Sequence, residues 1–341
     1  MVGKKRATIV DVASAAGVSI KTVSRVLNNE PHVREELKNK VLRAAKTLNY
    51  QPNVVAQGLV GRRSYLLGLV YENPSPNYIV ELQNGALDRL RGERYRLVVL
   101  PVQSVADVAG RMLAVLRSAA LDGVVLTPPA SDHPQILEEL RASGFPFTRV
   151  APKRFPDIVP STTTDDVEAS CAITRYLIDL GHRDIALIKG DPTHSATEAR
   201  LFGFSRALAE AGIRPRLDLI EQGMFTYDSG VAAGRRLLDR KDRPTAIFAQ
   251  NDDMAAGAIM VAHDLGIEVP GELSIVGFDD SQIAKVTWPR ITTIHQPVYD
   301  MARSATDMLV AMLDDRPFVP TIDPPFELIV RQSSGPKGDA V

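Results

Sequence analysis

Residues 8–29 read TIVDVASAAGVSIKTVSRVLNN and predict two short helices joined by a tight turn. Apolar side chains recur at helical spacing in the first half, Gly17 ends that run, and Ser19 can cap the helix that follows. The second helix is two-sided, because its valines fall on one side and its polar residues on the other. The polar side consists of Lys21, Arg25 and Asn28. One side is suited to packing and the other to donating hydrogen bonds.

A third helical pattern follows Pro31. Leucine, valine and alanine side chains recur along one stripe of residues 37–48, and most of the lysines and arginines lie away from it. The three patterns predict a small three-helix unit within residues 1–51. A helix that exposes Lys, Arg and Asn fits the major groove of DNA, where Arg donates a bidentate pair to guanine and Asn pairs with adenine. A three-helix domain that binds another protein is the alternative at this point.

The charge of the chain is unevenly distributed. Residues 1–64 carry twelve Lys and Arg residues against four Asp and Glu residues, although the 341-residue chain carries 40 and 41. A basic head therefore precedes an acidic body. This division predicts that the head meets a polyanion, most simply nucleic acid, while the body has another role. A solvated charged face without consequence is the alternative.

Residues 52–64 are predicted to form a hinge helix and a linker. Pro52 can start a helix, and Val55 and Leu59 are four residues apart on one side of it. A helix of about eight residues is marginal alone in water, and Gly58 costs it a further ~1 kcal/mol relative to Ala. We therefore expect a segment that is helical only when DNA and a second copy of the chain support it. A plain linker is the alternative.

From residue 65 onward, short apolar strands alternate with helical patterns. The predicted strands are 66–71, 96–101, 123–128, 147–152, 184–190, 246–252 and 274–280. Continuous apolar strands between helices indicate an α/β fold of doubly wound parallel sheets. So many strand–helix units predict two lobes, with a ligand at the carboxyl ends of the strands in the crevice between them.

The expected boundaries follow from this pattern. Lobe 1 spans residues 65–164 and is completed by about 294–322, and lobe 2 spans 165–293 and is completed by about 323–333. The segment that follows, 334–341, is rich in Gly and Ser and is expected to be a disordered tail.

The sequence lacks the usual signatures of catalysis and of metal or cofactor binding. The first body strand runs into ENPSPN at 72–77 without a phosphate-binding glycine loop, and neither a zinc-protease motif nor a nucleophile elbow occurs. The single cysteine, Cys171, cannot form an internal disulfide, which favours a reducing cytoplasm. Because signal-peptide and membrane-span patterns are missing too, we expect no enzyme activity, no metal, no cofactor and no membrane partner.

Polar side chains follow several of the body strands. Carboxylates accept hydrogen bonds from neighbouring hydroxyls, Arg and Asn donate them, and an aromatic ring covers the apolar face of a pyranose. The residues concerned are Arg200, Phe225, Asn251, Asp252, Asp279 and Asp280. They predict a sugar site. Structural alternatives exist, because an aspartate can cap a helix, a phenylalanine can belong to the core and an arginine can pair with a structural carboxylate.

Residues 8–29, together with NYQPNVVAQGLVGRRS at 49–64, resemble the DNA-binding head and hinge of the LacI/GalR family of bacterial transcriptional repressors. The resemblance implies a recognition helix at 19–29, in which Lys21 and Arg25 reach base edges. Ile20, apolar where relatives often place a polar residue, is expected to contact a thymine methyl.

Further DNA contacts are implied by the same resemblance. Side chains with hydroxyl or amide groups in the recognition helix would hold phosphates, and Leu59 would wedge into the central base step and kink the duplex. The DNA-binding residues implied in this way are Thr8, Ser19, Ile20, Lys21, Thr22, Ser24, Arg25, Asn28, His32, Asn53, Ala56 and Leu59.

The resemblance extends over roughly residues 7–331, and its most diagnostic body stretches are GFDD at 277–280 and TTIHQP at 292–297. It implies a two-lobed periplasmic-binding-protein fold with a small-molecule effector between the lobes. Asp165 or Asp166 would make a polar contact, whereas His295 and Gln296 would belong to an interlobe crossover. The ligand-binding residues implied are Asn77, Tyr78, Asp166, Arg200, Phe225, Asn251 and Asp279.

These features predict a homodimeric, sequence-specific transcriptional regulator, most simply a repressor of carbohydrate genes. Its partners would be a palindromic double-stranded DNA operator, a second copy of the chain, and a mono- or disaccharide effector. The alternative is a soluble sugar-binding or sugar-modifying protein that does not read DNA.

Overall fold

The computed structural model describes residues 7–27, 33–50, 63–72, 75–158 and 160–338. The chain divides into two compact units, Met1–Tyr65 and Leu66–Val341. Most of the predicted hinge lies outside the described residues, as do five of the predicted DNA-binding residues: Asn28, His32, Asn53, Ala56 and Leu59.

The described part of the first unit consists of α1 (Ile9–Ala16), α2 (Ile20–Leu27) and α3 (Glu35–Thr47). Thr8 and Asp11 form a capping box that starts α1, and Gly17 ends it at a positive φ of 64°, which glycine adopts without strain. Ser19 caps α2, because its Oγ accepts a 3.1 Å hydrogen bond from the Thr22 amide. The helices meet around the fully buried valines Val12, Val23 and Val41. The predicted three-helix packing is confirmed.

Lobe 1 of the second unit is a parallel sheet flanked by helices. Its strands are β1 (Leu66–Tyr71), β2 (Arg96–Pro101), β3 (Gly123–Leu126), β4 (Phe147–Val150), β5 (Ser161–Thr162) and β11 (Thr321–Ile322). Its helices are α4 (Pro76–Arg89), α5 (Val105–Val108), α6 (Met112–Ser118), α7 (Pro134–Ala142) and α13 (Val298–Leu313). Across the described residues the strand order is β11-β5-β4-β3-β1-β2, with parallel pairing throughout.

Lobe 2 repeats this architecture. Its strands are β6 (Ile185–Lys189), β7 (Ile220–Gln222), β8 (Ala246–Ala249) and β9 (Ser274–Val276). Its helices are α8 (Asp166–Asp179), α9 (Ser195–Glu210), α10 (Tyr227–Leu238), α11 (Asp252–Asp264) and α12 (Gln282–Val286). The parallel strand order is β7-β6-β8-β9. Apolar clusters cover both faces of the sheet, which explains the continuous apolar strands in the sequence.

The lobes are joined through an antiparallel pair, β10 (Thr293–His295) and β12 (Glu327–Ile329). Single bridges from Val276 to Thr292 and from Asp279 to His295 connect β9 to the start of this pair. The chain then enters lobe 1 as α13, which packs against α4. No helix in the described part of the chain has the length and apolar character that a membrane span requires.

The expectation of a disordered tail from residue 334 is wrong for residues 334–338. Ser334 Oγ lies 2.9 Å from Tyr176 Oη, the Gly335 carbonyl accepts a 3.1 Å hydrogen bond from Ser274, and the Lys337 amide donates a 2.8 Å hydrogen bond to Leu180. The Gly and Ser residues that suggested flexibility instead supply hydrogen-bonding groups that hold this segment on lobe 2.

Candidate functional site

Helix α2 has the two-sided character that the sequence predicts. Val23 and Val26 are buried against α1 and α3, whereas Ile20 and Lys21 are exposed, Ile20 to 48%. Arg25 is half-buried on the same helix. A cation and a large apolar side chain therefore stand together on the exposed start of α2, which is the chemistry expected of a helix that reads base edges.

Three of the predicted DNA-binding hydroxyls have partners inside the unit. Thr8 Oγ1 donates a 2.7 Å hydrogen bond to Asp11, and the Ser19 and Thr22 hydroxyls lie 2.9 Å apart. These hydrogen bonds stabilise the first turns of α1 and α2.

A pocket between the lobes brings six of the seven predicted ligand-binding residues together. The six are Tyr78 on α4, Asp166 at the start of α8, Arg200 on α9, Phe225 after β7, Asn251 before α11 and Asp279 after β9. Asn251 and Asp279 follow parallel strands of lobe 2 and lie in one pocket, as the sequence pattern predicts. The pocket measures about 40 Å³, and Tyr78, Asp279 and Gln296 also line a neighbouring cavity of about 550 Å³. A sugar-sized ligand would therefore extend beyond the pocket or displace its lining side chains.

Arg200 is the central group of the pocket and is held from several sides. Its Nε donates a 2.7 Å hydrogen bond to Asp166, and its Nη1 donates to the Gln250 carbonyl. Its guanidinium lies over the Phe278 ring, 3.7 Å from the centroid, and Nη2 is 3.7 Å from Asp279. Arg200 therefore pairs with a buried carboxylate, as the structural alternative predicts. This ion pair nevertheless lies in the pocket, because both Arg200 and Asp166 line it.

Asp166 also receives a cation from the other lobe. Lys153, which follows β4, forms an ion pair with Asp166 and donates a 2.6 Å hydrogen bond to the Thr164 carbonyl. Burial by itself would raise the pKa of Asp166, but Lys153 and Arg200 outweigh it and hold this pKa below its ordinary value. The neighbouring Asp165 instead caps α8 by accepting a 2.9 Å hydrogen bond from the Glu168 amide. Of the two candidates, only Asp166 lines the pocket.

The adjacent aspartates Asp279 and Asp280 face different partners. Asp279 faces Arg200, and burial, reinforced by other carboxylates, raises its pKa well above the ordinary value. Asp280 pairs with Arg331 and lies 3.2 Å from Lys285 and 3.3 Å from His295. Burial opposes ionisation of Asp280, but these neighbours lower its pKa to about 2. The two carboxylates do not form a catalytic pair.

Phe225 and Asn251 form one rigid wall of the pocket. Phe225 has a positive φ of 58°, belongs to the lobe 2 core, and meets the His194 ring edge to face at 5.5 Å. Gly190 lies beneath it, where an added Cβ would sit 1.9 Å from the ring. Asn251 caps α11 and donates a 2.9 Å hydrogen bond to the Phe225 carbonyl. Both residues therefore have structural roles in addition to lining the pocket.

Asn77 is the predicted ligand residue that does not line the same pocket as the other six, although it shares a neighbouring cavity with Tyr78 and Asp279. It lines a neighbouring cavity together with Glu81, Asp280 and Lys285. Asn77 and Tyr78 are consecutive residues of α4, so their side chains project about 100° apart around the helix axis. Only Tyr78 reaches the pocket.

Sequence reasoning missed several pocket residues. The family resemblance implies that Gln296 belongs to an interlobe crossover and not to the ligand site. In the structure it is buried against the pocket, and its Oε1 has no hydrogen-bond partner among the described residues. His194 and Ser75 also line the pocket, and Lys153 supports it. Lys153 follows a predicted strand, and this position is the sequence signal that indicates its proximity to the site.

Asp252, just behind the pocket, is expected to make stability depend on pH. It accepts 2.7 Å hydrogen bonds from Thr293 and from the Ser281 amide, and burial raises its pKa to about 7. The unfolded value is about 3.9, so the folded chain binds this proton more tightly. The associated stability is complete below about pH 4 and is lost as the pH rises through about 7.

Urea denaturation should therefore show a lower free energy of unfolding at about pH 8 than at about pH 6. Asp252→Asn should flatten this slope, because asparagine does not titrate, whereas the exposed variant Asp264→Asn should keep it. An equal slope in Asp252→Asn and the wild type would contradict the assignment.

The described units define a class of protein: a three-helix head with one two-sided helix, and a two-lobed α/β receptor with a polar pocket between its lobes. Residues 8–53 match the model for bacterial regulatory proteins of the lacI family, and residues 174–334 match the periplasmic binding protein-like domain. The chain belongs to the lacI family of bacterial transcriptional regulators.

Individual relatives agree with this assignment. The chain is 34% identical to catabolite control protein A of Priestia megaterium, over 90% of this chain and 92% of that protein. It is 32% identical to the transcriptional regulator CelR in its cellobiose complex, with a TM-score of 0.72 over 96% of this chain and 100% of that one. The Lac repressor dimer bound to operator and the anti-inducer ONPF gives a TM-score of 0.83 at 26% identity, over 97% and 100% of the two chains. The predicted fold class and family are confirmed.

Proposed function

We propose that this chain is a homodimeric repressor of carbohydrate genes whose operator affinity is set by a sugar bound between its lobes. It acts in the cytoplasm, where bacterial DNA lies, and is not an enzyme. One observation carries the proposal: Arg200, Asp166, Asp279 and the Phe225 ring converge in one interlobe pocket.

The chemistry of the pocket supports a sugar. The Asp279 carboxyl group can exchange hydrogen bonds with neighbouring hydroxyls. Arg200 can donate one from Nη2, because the nearest carboxyl group to that nitrogen among the described residues is Asp279, at 3.7 Å. The Phe225 ring offers an apolar surface for the C–H groups of a pyranose.

Relatives support the same proposal. CelR has been solved with cellobiose, and the Lac repressor has been solved as a dimer on its operator with an anti-inducer. A twofold symmetric dimer with two heads matches a palindromic operator, because protein and DNA then share one symmetry axis.

Contacts across the cleft provide a route for control. Lys153 of lobe 1 pairs with Asp166 of lobe 2, and Ser75 of lobe 1 donates a 2.7 Å hydrogen bond to Asp253 of lobe 2. We expect a ligand bound between the lobes to change these contacts and hence the arrangement of the lobes. Linkage then requires ligand and operator to alter each other's affinity by the same factor, typically about 5- to 150-fold.

Fluorescence anisotropy tests the proposal. The full chain is titrated onto duplexes from around its own gene and onto random duplexes at fixed salt, with and without a panel of mono- and disaccharides. Tight binding to one duplex, changed by one sugar, is the expected result. Equal binding to every duplex, including those recovered by random-sequence selection, would rule out a sequence-specific regulator.

Arg25→Ala is expected to reduce sequence discrimination by ~1–3 kcal/mol, because Arg25 is the proposed base-reading donor on α2. The measurement is the ratio of specific to random duplex affinity. Lys40→Ala is the matched control, since Lys40 lies on α3 and pairs with Glu36 at 2.8 Å. Its ratio should stay at the wild-type value, and an unchanged ratio in Arg25→Ala would remove Arg25 from the base-reading set.

A further inference from the structure

Arg149, on β4, is a fully buried cation that binds backbone carbonyls. Its Nη1 donates 3.0 Å hydrogen bonds to the Ser131 and Arg154 carbonyls, and its Nη2 donates a 2.7 Å hydrogen bond to the Phe155 carbonyl. Its Nε is buried without a hydrogen-bond partner among the described residues. Because a buried arginine is costly to desolvate and usually forms an ion pair, stability alone does not explain this cation.

Asp132 binds the amides of the same loop. Its carboxylate accepts 3.0 Å hydrogen bonds from the Lys153 amide and a 2.9 Å hydrogen bond from the Arg154 amide. Burial lowers the pKa of Arg149, and the charge of Asp132 opposes this change, so the two side chains also attract each other. Together they form a clamp, the Arg149–Asp132 clamp, that holds both donors and acceptors of the loop backbone.

The loop that the clamp holds has a strained backbone. Ala151 has a positive φ of 49° and Phe155 has a positive φ of 56°. Side chains other than glycine rarely adopt this conformation, and it persists where the surrounding structure fixes it. At Phe155 the fixing contact is the hydrogen bond from Arg149. The loop therefore keeps its conformation through the clamp and not through local preference.

The fixed loop places the Lys153 ammonium on the first crossover between the lobes. This crossover, residues 163–165, runs from β5 of lobe 1 to α8 of lobe 2. Lys153 Nζ donates a 3.1 Å hydrogen bond to Thr163 Oγ1 and a 2.6 Å hydrogen bond to the Thr164 carbonyl, and it forms an ion pair with Asp166. Only 12% of the Lys153 side chain is exposed. One ammonium group thus binds the crossover at two points and the first residue of α8 as well.

Asp166 connects this crossover to the pocket, because it also accepts the 2.7 Å hydrogen bond from Arg200. We propose that Arg149 and Asp132 are positioning residues for effector control, which hold Lys153 as a lock on the first crossover. When the clamp is removed, Lys153 loses its position and lobe 1 loses its connection to Asp166. The link to the operator rests on the proposed function, whereas the lock itself involves the second unit alone.

Amine acetylation of the full wild-type chain, followed by mass spectrometry, tests the lock. Lys153 should react about 10-fold more slowly than the exposed Lys241, because its ammonium group is buried and bound. Equal rates at the two lysines would overturn the lock.

Arg149→Met tests the clamp, because it removes the donors and keeps a side chain of similar length. We expect Lys153 to be acetylated about 10-fold faster than in the wild type. Hydrogen exchange should rise across residues 161–166 and stay at the wild-type level in β6 (Ile185–Lys189). A variant that only destabilised the fold would raise exchange in β6 too, and that result, or an unchanged Lys153 rate, would overturn the positioning role.

Two further variants complete this comparison. Asp132→Asn keeps one acceptor and loses the charge, so it should shift both readouts in the same direction by a smaller factor, and it serves if Arg149→Met folds poorly. Arg96→Met is the matched control. Arg96 also donates to carbonyls of lobe 1, those of Glu93 and Tyr95, but it is exposed on the edge strand β2. Both readouts should keep their wild-type values in Arg96→Met, and an unchanged Lys153 rate in Asp132→Asn would overturn the role of Asp132.

The double variant Arg149→Met with Lys153→Met shows whether the clamp acts through Lys153. If it does, exchange across residues 161–166 in the double variant equals that of Lys153→Met alone. Additive increases would mean that Arg149 acts by another route and would overturn the proposal.

Operator anisotropy with glucose and cellobiose as probes tests the role of the lock in regulation. In the wild type we expect one of these sugars to change operator affinity, and in Arg149→Met and Lys153→Met this change should shrink by about 5-fold or more. A full response in both variants would overturn the regulatory role. A wild type that binds its operator and ignores both sugars would overturn control by these sugars, while acetylation and hydrogen exchange still decide whether Arg149 positions Lys153.

Discussion

Arg200→Ala is expected to abolish the response to the effector and to lower the free energy of unfolding by about 3–5 kcal/mol. Arg200 is buried and bonded to Asp166, and it stacks on Phe278. Without Arg200, the Asp166 carboxylate keeps its ion pair with Lys153. Asp279 loses the guanidinium that it faces. Breaking one side of a buried ion pair is costly, because the remaining charge stays desolvated.

Urea denaturation and operator anisotropy measure the two effects. Arg235→Ala is the matched control, because Arg235 forms an exposed 2.9 Å ion pair with Asp264 and its removal should cost less than about 1 kcal/mol. If Arg200→Ala still responds to sugar with normal affinity, the pocket is assigned wrongly.

The sequence predicts the α/β framework well because burial leaves a strong periodic signal. Strands β6 and β8 are covered on both faces, so they read as continuous apolar runs that end near the observed boundaries. Parallel strands also bring their carboxyl ends to one edge, which is why Asn251 and Asp279 could be assigned to the same pocket.

Roles that depend on long-range geometry leave no local pattern in the sequence. Gln296 lies at a crossover, as expected, but the crossover itself forms a pocket wall, which no local pattern indicates. The partnership of Lys153 with Asp166 depends on how the segment between β4 and α8 folds back. Asp165 caps a helix, whereas the adjacent Asp166 binds an arginine. A shift of one position along the turn decides between these two roles.

The helix pair α8–α9 links stability to the site, because α8 carries Asp166 and α9 carries Arg200. The two helices approach closely at Gly203, three residues after Arg200. A Cβ at position 203 would sit 2.2 Å from the Val167 carbonyl oxygen and 2.8 Å from the Ser170 Cβ. The first of these is a backbone atom beside Asp166, so relief requires the first turn of α8 to move.

Gly203→Ala is therefore expected to destabilise the chain by about 3 kcal/mol, at the upper end of overpacking effects. Alanine has a higher helix propensity than glycine, which by itself would stabilise the helix by ~1 kcal/mol. A net loss of stability would therefore indicate the steric conflict. The same displacement lengthens the 2.7 Å contact between Arg200 and Asp166, so sugar affinity should fall by about 10-fold or more.

Ala209→Gly separates the packing effect from a general weakening of α9. Ala209 is exposed on the same helix, so its replacement should cost only about 1 kcal/mol and leave sugar affinity unchanged. Denaturation and calorimetry on both variants complete the comparison. If a destabilised Gly203→Ala protein binds sugar with wild-type affinity, Arg200 keeps its position without close packing of α8 against α9. Its contacts with Phe278 and Gln250 would then be what holds it in place.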